Sequence, residues 1–298
     1  MATPALIQLT GVDNSSWTLA GPGQAQQGVE LATNPSGIYD APVTTIWNQS
    51  AFQIGSTFAG YKIPKRDVVF GLNIYEMPGM SWQSVDSAWR KAWAYDQDST
   101  LTITTETGTR SLLLRMSQQP SMTSVHDPHL KLWAQVTMTC TAGIPWWVEQ
   151  DSTQTWVSPA DTSGGAIARG SVLVENPTDQ PMYLKWVCSA PGQWTLPDFS
   201  WGNTYYGRAV ADANRVVTLP LTTTGQDLTV DTDPMVEMII AADGSLMWAL
   251  MDGVSFEYAV PAYTPSTAVP VSVTGAPAGA SLLCVQPRNW SRPWGLQQ

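Results

Sequence analysis

The feature that most constrains this chain is an unbroken alternation over residues 130–140. Leu130, Leu132, Ala134, Val136, Met138 and Cys140 are separated one by one by Lys131, Trp133, Gln135, Thr137 and Thr139. A period of two places the apolar set on one side of an extended backbone, which predicts a long strand with one buried face. Such a strand needs partners. Residues 100–106 and 110–116 also alternate, and Glu106-Thr107-Gly108-Thr109 between them is a turn in which Gly108 can take positive φ. The pair predicts a β-hairpin. Further strands are predicted at 44–47, 67–75, 170–175, 182–188, 215–221, 228–231, 234–240, 246–250 and 282–285.

One segment departs from that period. Between 81 and 95, Trp82, Val85, Trp89 and Trp93 fall at i, i+3, i+7 and i+11, one face of a helix. Ser81 suits the N-cap, and Arg90 and Lys91 lie late, where the helix dipole favours cations. The Trp stripe is expected to cover a sheet rather than hold a ligand. A boundary is predicted at Thr141-Ala142-Gly143-Ile144-Pro145, giving domains at 1–145 and 146–298. Beyond it, short strands between Pro, Gly, Asn and Asp turns predict a β-sandwich. The net charge of -10 divides into -2 before the boundary (8 basic, 10 acidic) and -8 after it (6 basic, 14 acidic).

Composition excludes several classes. With 43% hydrophobic and 13% charged residues the chain is not disordered. A net charge of -10 argues against a general binder of nucleic-acid phosphates. The sequence has no run of about 18 apolar residues, so no membrane span is expected. The start lacks the basic and apolar regions of a signal peptide. Cys140, Cys188 and Cys284 are widely separated and odd in number, which predicts reduced, buried thiols rather than a disulfide framework or a zinc site.

Chemistry leaves little trace. The two histidines, His126 and His129, flank Pro128 in an expected loop, and no third metal ligand matches them. Glu175, Glu237 and Glu257 lie near predicted strands without a pairing that would support glycoside hydrolysis. No catalytic, cofactor-binding or metal-ligating residue is nominated. Nine of the 15 Trp follow the boundary, and several sit in turn-rich sequence. An aromatic face can stack on a sugar ring, so Trp194, Trp201 and Tyr205 are candidate carbohydrate contacts, against the alternative that such residues pack within the core or between subunits.

The order of parts resembles the distal tail proteins, the minor tail proteins of long non-contractile-tailed bacteriophages, in particular those infecting mycobacteria. In the first half the resemblance rests on Tyr61-Lys62-Ile63-Pro64-Lys65-Arg66-Asp67, the Trp-striped helix and the hairpin through Leu101-Thr102-Ile103 and Arg110-Ser111-Leu112-Leu113-Leu114-Arg115. In the second it rests on Glu175-Asn176-Pro177-Thr178-Asp179-Gln180-Pro181-Met182-Tyr183 and Trp290-Ser291-Arg292-Pro293-Trp294-Gly295. The family implies a mainly β architecture: an N-terminal sandwich- or barrel-like ring domain with one helix and a protruding hairpin, then a galectin-like β-sandwich.

It also implies a non-enzymatic virion protein, a homo-hexameric ring assembled in the host cytoplasm, whose partners are the tail tube, the tape measure protein and tip or hub proteins. Within that picture the 100–116 hairpin and the helix are expected near ring contacts. The channel wall is expected to be neutral or weakly acidic, so that DNA does not stick. Competing readings are a carbohydrate-binding module for host-surface glycans, a tail-tube subunit and, more distantly, a glycosidase. No galectin sugar-binding signature is present.

Overall fold

The computed structural model describes residues 4–32, 35–122 and 126–297. The chain is mainly β and divides into two compact units: Met1–Glu149 with Trp290–Leu296, and Gln150–Asn289 with Gln297–Gln298. The division falls four residues beyond the expected boundary, and residues 290–296, expected in the second domain, belong to the first unit. The exchange gives that unit Glu149 and Arg292, one charge of each sign, so the -2 and -8 split is unchanged.

In the first unit the order is β1 (Leu6–Thr10), β2 (Ser16–Ala20), β3 (Val29–Leu31), β4 (Thr44–Asn48), β5 (Thr57–Lys62), β6 (Arg66–Tyr75), α1 (Trp82–Lys91), β7 (Ser99–Thr105), β8 (Gly108–Met116), β9 (Ser121–Met122), α2 (Pro128–Lys131), β10 (Trp133–Ala142) and the start of β11 (Trp147–Val157). One layer runs β2-β1-β7-β8 and the other is built on β3-β6-β10, with β9 alongside β10. The strand predicted from alternation is β10. Its Ala134, Val136, Met138 and Cys140 are buried and it pairs with β6 along ten residues. Val68, Phe70, Leu72 and Ile74 of β6 extend the same core, and Trp82, Val85, Trp89 and Trp93 cover it as expected. Ser81 caps α1 by accepting from Ser84 N.

The expected strand start at Leu130 is a helical turn instead. Asp127 accepts from His129 N, Pro128 presets φ at the first helical position, and Leu132 turns the chain left-handed before β10 begins. Leu130 and Leu132 are therefore exposed, outside the stripe that alternation assigned them to.

The second unit is a sandwich of two antiparallel layers. Its strands are the rest of β11, β12 (Ile167–Asn176), β13 (Lys185–Cys188), β14 (Gln193–Pro197), β15 (Val216–Thr218), β16 (Leu228–Asp231), β17 (Ile239–Ala241), β18 (Thr264–Thr274) and β19 (Ser281–Trp290). One layer is β17-β16-β13-β19-β11 and the other β12-β18-β14-β15. Alternate residues of both fill one core that includes Val174, Trp186, Trp194, Val230, Val271 and Leu282. Residues 247–251, which overlap the strand expected at 246–250, form a 3₁₀ turn that buries Met247 and Met251 and leaves Trp248, Ala249 and Leu250 exposed.

Burial raises the thiols of Cys140 and Cys284 to about 12 and that of Cys188 further, so all three are inert, free thiols. Among the described residues no helix is long and apolar enough to cross a membrane.

Candidate functional site

Two of the hairpins in the first unit, β7–β8 and β4–β5, are of opposite character. The 100–116 hairpin, expected to reach outward, is core: Leu101, Ile103, Leu112 and Leu114 are buried, and β7 pairs with β1 on its other side along five residues. Its alternation signals a half-buried strand, which is the opposite of a projecting arm. That role falls to β4 and β5. Among the described residues they pair only with each other, and every residue of β4 is exposed, as are all of β5 except Gly60.

The register joins Thr44 to Lys62, Thr45 to Tyr61, Ile46 to Gly60, Trp47 to Phe58 and Asn48 to Thr57, with a bulge between Ile46 and Trp47. Trp47 and Phe58 meet edge to face at 5.3 Å, and the Trp47 indole donates to Thr45 Oγ1 at 3.0 Å. At the turn, Gln53 accepts from Ser50 N at 3.1 Å and donates to Thr57 Oγ1 at 2.9 Å. Phe52 has positive φ, and its side chain and that of Ile54 stand fully in solvent, at 105% and 102% exposure. Val43, Ile46, Trp47, Phe58 and Tyr61 add further exposed apolar surface.

No Asp, Glu, Lys or Arg occurs from Ala41 to Tyr61. An isolated two-stranded ribbon is marginal in water, and a clustered, uncharged apolar patch on an open strand pair marks a surface that another chain covers. The chemistry available here is strand pairing and apolar burial. Covering Phe52 and Ile54 alone contributes roughly 3–6 kcal/mol before ordering costs. The sequence expectation found β4 but neither its partner nor its exposure. The charge-free stretch was the signal.

The nominated sugar contacts are dispersed in role. Trp194 is a correction: at 0% exposure it lies in the sandwich core, edge to face with Trp156 and donating Nε1 to Ser189 O at 2.9 Å, so it has no face to offer. Trp201 is half-buried beside Phe199, whereas Tyr205 is 83% exposed and set against Tyr206. Both belong to the loop between β14 and β15, which buried carboxylates hold in place. Asp198 accepts from the Arg215 guanidinium and from the main-chain N–H groups of Glu257 and Tyr258, and Asp212 accepts from Arg208 at 2.9 Å and the Tyr258 hydroxyl at 2.7 Å. Sequence reasoning passed over Trp248, which is exposed and lines a groove of about 600 Å³ with Glu237, Met238 and Val254.

Elsewhere the carboxylates are committed separately, Glu175 to Arg288 at 3.0 Å and Glu257 to Arg215 at 3.6 Å. His129 packs on the Trp82 ring at 5.4 Å. Among the described residues no cluster of three His, Cys, Asp or Glu could hold a metal.

Comparison with known proteins accords with this picture. No protein-family model matches the chain. The minor tail proteins Gp27 of Mycobacterium phages D29 and L5 are each 29% identical to it, over 345 and 347 aligned residues that cover all of this chain and all of each relative. Among solved structures, the SPP1 Dit protein (gp 19.1), described as a hub of the adsorption apparatus in phages infecting Gram-positive hosts, superposes with a TM-score of 0.61 at 12% identity, covering 94% of this chain and 98% of that one. A chain of the phage P2 baseplate gives 0.52 at 10% identity, covering 96% and 98%. In sequence the chain is thus similar along its whole length to the minor tail proteins of two mycobacteriophages, and it shares the fold of the SPP1 Dit protein.

Proposed function

We propose that this protein is a structural component of a phage tail tip: a closed homo-hexameric ring joining the tail tube to the tip and surrounding the channel through which the genome leaves. The observation that carries this reading is the charge-free β4–β5 hairpin, which offers paired strand edges and apolar side chains with no partner in its own unit. A ring is built from heterologous contacts, in which one patch of each copy meets a different patch on the next. A projecting hairpin suits that geometry, and pairing across subunits removes the hazard of open edges.

The first unit forms the ring and the acidic second unit decorates it. The tube, tape measure and hub proteins are its neighbours, and catalysis plays no part. Imaging of assembled tails, with the mass of the isolated protein in solution, tests this: a ring of six at the tail's far end is expected. A monomer displayed away from the channel would contradict it.

A second reading, glycan binding by the second unit, is supported by Trp248 beside Glu237 in the open groove and by the exposed Tyr205. Glycan-array binding that disappears in Trp248→Ala or Tyr205→Ala would favour it, and no binding by the parent protein would remove it.

A further inference from the structure

Both roots of the exposed hairpin meet one segment that returns from far along the chain. The exit root is Arg66, only 1% exposed. Its Nη1 donates to Gly37 O at 3.1 Å and Ile38 O at 2.9 Å in the entry root, its Nε to Pro145 O at 2.8 Å, and its Nη2 to Ser291 O at 2.7 Å. Burial lowers this guanidinium to about 10, so it remains charged at neutral pH. Gly37 permits the arrangement: φ is 76°, and a Cβ there would sit 1.9 Å from Asp67 O.

The returning segment also grips the entry root directly. Arg292 pairs with Asp40 at 3.0 Å, and the Trp294 ring lies 5.1 Å from that of Tyr39. The segment is itself fixed at both ends. Trp290 is buried and donates Nε1 to Glu149 at 2.7 Å. The Arg110 guanidinium sits 3.6 Å over the Trp290 ring and donates to Arg292 O at 2.8 Å and Gly295 O at 3.0 Å. Arg110 is 2% exposed, so this anchor is as deep as the other.

We infer that residues 290–296 are a positioning strap that sets the angle of the β4–β5 hairpin and thereby controls its docking onto a second copy of the chain. The inference rests on the reading of that hairpin as the assembly element. A two-stranded ribbon with no layer beneath it has little besides its roots to direct it. Six residues of strand reach roughly 20 Å, so a tilt of about 10° at the roots moves the tip by roughly 3–4 Å. That is far more than a close-packed interface tolerates.

The test uses the full chain carrying Arg292→Ala with Trp294→Ala, a pair that spares both buried arginines. Trp294→Phe keeps a ring on Tyr39, and a reference variant carries Phe52→Ser with Ile54→Ser at the tip. Hydrogen exchange is read at residues 36–40, at 44–62 and in β10, and self-association is read by sedimentation. The expected result for the strap pair is faster exchange at the roots and hairpin, unchanged exchange in β10, and self-association weakened about tenfold, a loss of about 1.4 kcal/mol. Trp294→Phe combined with Arg292→Ala should restore most of it.

Unchanged exchange at the roots overturns the strap whatever the tip variant does, as does faster exchange with parental association. Faster exchange throughout β10 also overturns it, because the segment would then be general core rather than a positioning element. Parental association in the tip variant instead removes the docking reading, while root exchange still reports on the strap.

Discussion

Two hairpins of the first unit, β7–β8 and β4–β5, are built from similar material and are buried to opposite extents. β7–β8 alternates Leu101, Ile103, Leu112 and Leu114 inward and is held by β1 on its far side. β4–β5 carries Ile46, Trp47, Phe52, Ile54 and Phe58, is no less apolar, and leaves all of them in solvent. Apolar content therefore does not distinguish a core hairpin from an exposed one. The difference lies in regularity and in charge. Strict alternation, with Arg115 on the solvent side of the second strand, marks a ribbon with a dry and a wet side. A bulged ribbon with no charge over residues 41–61 has no side adapted to water.

The sharpest way to break this comparison is to truncate one side chain in each hairpin. Ile103→Ala should cost about 2–5 kcal/mol in denaturant unfolding of the first unit, because it opens a cavity in a closed core. Phe52→Ser should stay within about 0.5 kcal/mol of the parent in the same measurement while impairing self-association. Equal losses of stability would erase the distinction. A smaller effect is expected for Trp47→Ala, which removes the edge-to-face pair with Phe58, worth about 0.5–1.5 kcal/mol. It should speed hydrogen exchange within β4 and β5 and leave the unfolding midpoint of the unit unchanged.

The smallest effect concerns pH. The Tyr75 hydroxyl, donating at 2.6 Å, with Gln24 and Asn73, holds the Glu30 carboxyl below its ordinary 4.5. A depressed acid contributes stability that is present above its ordinary value and is lost as pH falls through the folded one. Thermal unfolding of the first unit should therefore weaken only below about pH 4.5. Hairpin-mediated association should be flat from about pH 5 to 8, since no side chain from 41 to 61 titrates there. An association that follows a group near pH 6–7 would place a titrating side chain in the surface that receives the hairpin.

Much of the fold was legible because one-sided burial writes itself as period two. β6, β7, β8 and β10 were readable in that way, and the Trp-striped α1 by its helical spacing. The exposed hairpin was half legible, since β4 has strand-forming residues but local propensity carries no information about burial. The strap was not legible as part of the first unit. Arg66 reaches Ser291 across 225 positions and Arg110 reaches Gly295 across 185, so nothing near residue 290 in the sequence names its partners. Trp194 misled for a related reason. A tryptophan between turn residues looks available, yet β14 alternates it into the sandwich core with Leu196.

The central claim is that β4–β5 is the surface by which copies of this chain assemble. Hydrogen exchange of residues 44–62, compared between the dilute isolated protein and intact tails, tests it most directly. The account predicts fast exchange in the isolated protein and strong protection in the tail, with β7–β8 protected in both. Exchange at 44–62 that remains as fast in the assembled tail would contradict it.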